Sequence, residues 1–171
     1  YGVPNYFGPQ RFGLAGDNVA NGMAMLKREI RVRNKKKKGI YLSSVRSFLF
    51  NEVLAARIRS GLWGQSLTGD ILTDEGVATG PMWGRGRLTT TDDALALESE
   101  IAAQHPELCE GLEFSGLNQD RRALAAMPGN MTWSWPEESH LLLTFSLPAG
   151  YYATSLIREC IETTEPERYV P

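Results

Sequence analysis

One stretch near the start of the chain, Asn5-Tyr6-Phe7-Gly8-Pro9-Gln10-Arg11-Phe12-Gly13, limits how it can fold more than any other. Three aromatics, two glycines, two amides and an arginine crowd into it, a composition foreign to ordinary core segments. Gly8 and Gly13 admit left-handed backbone or the close approach of another segment. Pro9 fixes its own φ and biases Gly8 toward extended geometry. Arg11 carries a planar, permanently charged fork that suits phosphate or carboxylate. Tyr6, Phe7 and Phe12 offer flat faces for packing or for stacking on bases. Composition leaves two alternatives open, a loop that touches a ligand and an aromatic-pinned turn beneath a domain seam.

Charge divides the chain. Residues 1–59 hold 12 Lys and Arg against Asp17, Glu29 and Glu52, a local charge of +9, while the remainder carries −11. A polyanion would meet the N-terminal third. Most of the positive charge lies in one run, with Lys27, Arg28, Arg31, Arg33 and Lys35, Lys36, Lys37 and Lys38 opposed by Glu29 alone. Such repulsion is relieved by solvent or by an anion. The run fits contact with RNA phosphates. It also fits a solvated helix end, with cations favoured near a helix C-terminus. No aromatic interrupts it, so it would position a backbone without reading bases.

At 171 residues the chain suits one domain, or one domain and part of another. No apolar run approaches the ~20 residues of a membrane span. Cys109 and Cys160 are too few for a disulfide framework and lie in no metal-ligand spacing, so a reducing, cytoplasmic setting and no metal are expected. The chain opens on Tyr1-Gly2-Val3-Pro4 and is expected to be a piece of something larger.

Periodicity supplies the elements. Asn18 is expected to cap a helix striped by Val19, Met23, Leu26 and Ile30. Gly39 is expected to end the basic segment. Ser43 or Ser44 would then cap a helix from Val45 to Arg59, with Val45, Phe48, Leu49, Val53 and Ile58 inward and Arg46 and Arg57 on the polar side. A glycine-rich loop follows, in which Asp70 and Asp74 belong to turns, as Asp17 does earlier. Thr91 starts a helix that Pro106 stops, and a second short helix begins there. His105 is expected at the helix end. Asn118 is expected to cap a further helix through Met127. Met131, Trp133 and Trp135, then Leu141, Leu143, Phe145 and Leu147, alternate with polar or smaller residues and predict an antiparallel pair, its indoles in a core or seam. Thr154 would cap a last helix with Leu156, Ile157, Cys160 and Ile161 inward.

The order of residues in Asn5–Gly13 resembles the signature of the TruD family of tRNA pseudouridine synthases. Leu42-Ser43-Ser44-Val45-Arg46-Ser47-Phe48-Leu49-Phe50-Asn51 is similar to a second family block, with Ser44 in place of the usual alanine. Leu147-Pro148-Ala149-Gly150-Tyr151-Tyr152-Ala153-Thr154, with Arg158-Glu159, resembles the family's C-terminal motif. The resemblance runs from Gly2 to about Thr164 and departs at Leu72-Thr73, where family members carry a longer segment.

That resemblance implies an α+β fold: a mixed helical and β insertion domain over 4–138, and over 139–171 the closing strand and helix of a split antiparallel-sheet catalytic domain. It implies isomerisation of uridine 13 of tRNA to pseudouridine. The uridine is flipped out, an Asp attacks or assists at the sugar–base bond, and the base rotates and rejoins through C5, with no cofactor and no metal. The family's catalytic Asp lies in a G-x-K-D stretch that nothing here matches. No catalytic residue is therefore expected in this chain, and alone it should be inactive. Arg158 is the residue expected to support that Asp, by analogy, with a structural pair to Glu159 or Glu162 as the alternative. Asn5, Tyr6, Phe7, Gln10, Arg11, Phe12, Lys35 to Lys38 and Arg46 are the expected RNA contacts. The expected state is a cytoplasmic monomer that binds tRNA and no membrane. A non-catalytic RNA-binding module using the 27–38 face is the alternative function, and a purely structural domain a third.

Overall fold

A computed structural model describes residues 2–162. In chain order the elements are β1 (Val3–Pro4), α1 (Pro9–Phe12), α2 (Asp17–Leu26), α3 (Lys35–Arg59), β2 (Thr79–Met82), α4 (Asp92–Gln104) and α5 (Pro106–Glu113). They continue with β3 (Asp120–Ala123), β4 (Ala125–Ala126), β5 (Gly129–Glu137), β6 (His140–Ser146) and α6 (Ala153–Cys160). The strands form antiparallel pairs, β1 with β4, β2 with β3 and β5 with β6. The fold is α+β, as expected. The expected 4–138 and 139–171 division falls in the turn between β5 and β6, and its residues 163–171 lie outside the described residues.

The spine is α3, a 25-residue helix roughly 37 Å long. It does not break at Gly39. The Asn34 side chain accepts from the Lys37 amide at 3.0 Å, so the helix starts at the lysines and runs through the glycine. Ser43 and Ser44 are thus interior, not caps, and Ser44 Oγ lies 2.9 Å from both the Ile40 and the Arg11 carbonyl oxygens. Two apolar clusters sit along this spine. Leu42, Val45 and Leu49 pack with Trp83, Leu108, Cys109 and Leu112, and Met23 and Leu26 of α2 lean on them. Further along, Phe50 and Leu54 pack with Phe7 and Leu124. Gly22 has a packing reason, since a Cβ there would lie 2.8 Å from the Tyr41 carbonyl oxygen where α2 crosses α3.

Several expectations fail for physical reasons. Gly16, not Asn18, precedes α2, and that helix ends at Leu26, which leaves Ile30 exposed outside it. Ile58 is exposed as well. Arg57 is buried, 2% exposed, and ion-paired with buried Asp70, so neither is a polar-surface or plain turn residue. Residues 118–127 form β3 and β4 in place of a helix. Neighbouring arginines point opposite ways there: Arg121 pairs with Glu98 at 2.6 Å, while Arg122 reaches Asn5 at 2.7 Å. Long-range charge pairing and the register of β3 on β2 outweigh local helix propensity. The β5–β6 hairpin forms as expected, but Trp133 and Trp135 are 69% and 62% exposed. Among the described residues, those two strands pair only with each other.

Two measurements check this packing. Asp70→Asn removes the counter-charge from a buried guanidinium and should destabilise the chain by about 3 to 5 kcal/mol, while exposed Asp74→Asn should change little. Thermal unfolding separates the two. Burial pushes the Cys109 thiol up to about 12, whereas Cys160 is exposed. A thiol reagent at mildly alkaline pH should label Cys160 alone until the chain is unfolded.

Candidate functional site

The signature is one extended segment and one helical turn, held by side chains from three other elements. Gly8 is extended, with ψ 169°, and Pro9 opens α1. Asn51 of α3 grips the backbone of Phe7 from both sides. Its Oδ1 accepts from the Phe7 amide at 3.0 Å, and its Nδ2 donates to the Phe7 carbonyl at 3.1 Å. Asn5 is buried, and its Nδ2 donates to the Ala123 carbonyl at 2.7 Å while its Oδ1 accepts from Arg122. The Arg122 guanidinium lies 4.1 Å from the Phe7 ring centroid and 5.1 Å from that of Tyr151. Burial lowers the Arg122 pKa, and Tyr151 and Tyr152 act in the opposite direction.

The C-terminal block docks on this segment. Arg11 Nε donates to the Tyr152 hydroxyl at 2.9 Å, and Arg11 Nη1 to Ser43 Oγ at 3.0 Å. Ser155 Oγ donates to the Tyr6 carbonyl at 3.0 Å, and Gln10 Nε2 to Thr154 Oγ1 at 3.2 Å. A Cβ on Gly8 would lie 2.9 Å from Thr154 Oγ1 and 3.2 Å from the Tyr152 ring, so a side chain there would have to push both back. Motifs about 145 residues apart in the chain therefore share one seam.

Beside the seam opens a cleft of about 570 Å³ lined by Tyr6, Phe7, Phe12, Asn51, Arg158 and Glu159 among others. Burial, followed by the charges of Glu159 and Glu52, raises the Tyr6 pKa, with Arg59 opposing, so its hydroxyl is neutral at physiological pH. Glu159 is the carboxylate in the described lining, and no described aspartate belongs to it. Arg158 stands exposed in the last turn of α6, on this cleft.

The expected contacts thus divide. Tyr6, Phe7 and Phe12 line the cleft, while exposed Gln10 is outside the lining and bonds Thr154. Asn5 is spent on backbone and Arg122, and Arg11 is half-buried against Tyr152 and Ser43, outside that lining. Arg46 is half-buried, and its Nη2 donates to the Met82 and Asn118 carbonyls at 2.7 and 2.9 Å, bracing α3 against two strand ends. Lys35 to Lys38 are exposed in the first turn of α3. A C-terminal dipole therefore cannot explain these lysines, because they stand at the end where the dipole disfavours cations. From Lys38 to Ser43, where Arg11 docks, the helix rises about 8 Å. Arg122 and Asn51 escaped sequence reasoning as members of this site. The last residue of the second block, Asn51, was the available signal.

No protein-family model matches the chain. A tRNA pseudouridine synthase D from Aeromonas hydrophila is 40% identical over 189 residues, covering 97% of this chain and 53% of that protein. One from Cellvibrio japonicus is 42% identical over 160 residues, covering 94% and 47%. Across nearly its whole length the chain is similar to proteins named tRNA pseudouridine synthase D. It spans about half the length of the curated relatives it matches. The 189-residue alignment is longer than the chain itself, so that relative carries residues absent here. The fold matches a crystal structure described as tRNA pseudouridine synthase D (TruD) from Methanosarcina mazei. The TM-score is 0.57 over 92% of this chain and 60% of that one, at 16% identity.

Asn51→Ala should free the Phe7 backbone groups inside a buried seam and cost about 2 kcal/mol. The check is hydrogen exchange, where the Phe7 amide should lose protection before the interior of α3 does.

Proposed function

We propose that this chain forms the RNA-gripping part of a tRNA pseudouridine synthase that isomerises uridine 13 of tRNA. The meeting of the signature and the C-terminal block at one aromatic cleft carries this reading. A flipped base needs flat faces in a recess, and the aromatic side chains of Tyr6, Phe7 and Phe12 line one. The first turn of α3 lies further along the same helix and would hold tRNA phosphates with Lys35 to Lys38. Arg158, in the same lining, would keep a carboxylate ionised.

In this reading the catalytic Asp comes from polypeptide outside the sequence, since none of the described aspartates lines the cleft. Residues 4–138 would be the inserted domain, and 139–171 the closing part of the catalytic domain. Neither metal nor organic cofactor takes part. The protein would work as a cytoplasmic monomer. No helix among the described residues is long and apolar enough to cross a membrane. The second reading, a non-catalytic RNA-binding module, is favoured by the lysine-bearing helix start alone.

Filter binding of tRNA across a salt series tests the grip. Replacing Lys35 to Lys38 by Gln should weaken binding and flatten the log–log salt slope by as much as roughly 3 to 4. An unchanged slope would remove the basic face from the account. Incubated with tRNA, this chain alone should yield no pseudouridine by carbodiimide-stop primer extension. Turnover would place the acid within these 171 residues.

A further inference from the structure

A second recess lies beside the start of α3, walled by α2, α3 and α5. It has a volume of about 500 Å³, and its lining includes Leu26, Lys27, Arg28, Lys38, Glu110 and Phe114. Phe114, at the end of α5, is 80% exposed, more than any other large apolar residue among those described. Core packing does not account for a ring so placed. The basic run, which contains no aromatic in sequence, acquires one in space.

Three cations, Lys27, Arg28 and Lys38, line the recess with the ring, together with Glu107 and Glu110. Lys38 lies in the first turn of α3, where backbone N–H groups also face outward. Arg28 holds φ 64° immediately after the end of α2, with the Glu29 amide bonded to the Ala24 carbonyl at 2.9 Å and the Arg28 amide to the Met25 carbonyl at 3.2 Å. Glycine is the usual residue at this left-handed helix stop, and an arginine there bears backbone strain. Lys27 pairs with Glu107 at 3.0 Å, which offsets that carboxylate. Glu110 remains as an acceptor for N–H groups. Leu26 and Leu42 supply an apolar floor.

We propose that this recess binds one unpaired nucleotide of the RNA, its base stacked on Phe114 and its phosphate between Arg28 and Lys38. Stacking on an aromatic is available to any base, while the N–H edge that Glu110 can accept from belongs to bases freed from pairing. The site is separate from the Phe7 cleft and shares no lining residue with it. It rests on the reading that the basic face holds RNA. It adds that the face distinguishes unpaired from fully paired segments.

The test uses this chain, an RNA hairpin with 2-aminopurine in its unpaired loop, and a blunt RNA duplex of matched length. Phe114→Leu keeps an apolar group and removes the ring. It should weaken hairpin binding roughly tenfold, abolish the quenching of 2-aminopurine on binding, and leave duplex affinity and salt slope within about twofold. Phe114→Trp should restore hairpin affinity and quenching. If the parent chain binds neither RNA in a salt-dependent way, the RNA reading fails and this inference with it. If the parent binds both and Phe114→Leu matches it on the hairpin, the RNA reading stands and the nucleotide site is overturned. Phe114 would then be left to contact with another protein.

Discussion

The guanidinium of Arg122 covers one face of Phe7 at 4.1 Å, while the rings of Phe50 and Tyr152 meet Phe7 edge-on at 5.5 and 5.7 Å. Asn51 fixes the backbone of the same residue. This clamp joins β3, α3, the signature and the approach to α6. Each partner alone contributes little, since a cation–π contact or an aromatic pair is worth about 0.5 to 2 kcal/mol. Together they leave the signature one position. The backbone of the signature is thereby held in place beside the cleft.

Electrostatics place the second half of the account. Four lysines at the start of a helix oppose its dipole and one another, and the Asn34 cap offsets only part of that cost. A bound polyanion reverses the balance, because backbone N–H groups and ammonium groups then face the same charge. The buried pairs Arg57–Asp70 and Arg121–Glu98 lie elsewhere and brace the scaffold. So the molecule separates its cations by use. Arg57 and Arg121 have a carboxylate, Arg122 a ring and Arg46 two backbone carbonyls, while those at the start of α3 face solvent.

Local sequence disclosed the elements whose signals are local. Pro106 between α4 and α5 and the alternation of β5 and β6 needed no distant partner. At α6 the expected Thr154 cap fails: Tyr152 precedes the helix, Thr154 lies inside it bonded to Gln10, and Cys160 and Ile161 are exposed. What stayed hidden depended on residues far along the chain. A helix over 118–127 was plausible until Glu98 and Asn5 drew Arg121 and Arg122 to opposite sides. Gly39 signalled a stop, yet a cap five residues earlier and a core on the far side carried the helix through it. The same holds for the site. The aromatics Tyr6, Phe7 and Phe12 were legible as a group, while the structural uses of Asn5 and Arg46 were not, because their acceptors lie on strands that local pattern concealed. Trp133 and Trp135 had the pattern of buried residues but stand on a hairpin without a covering layer among the described residues.

Photo-cross-linking of a 4-thiouridine-labelled tRNA to the chain, read by peptide mass spectrometry, tests the central claim most directly. The account predicts adducts on two segments in the same complex, the cleft aromatics between Tyr6 and Phe12 and the basic face from Lys27 to Lys38. Adducts confined to the β5–β6 hairpin or to α4, with neither of those segments labelled, would contradict it.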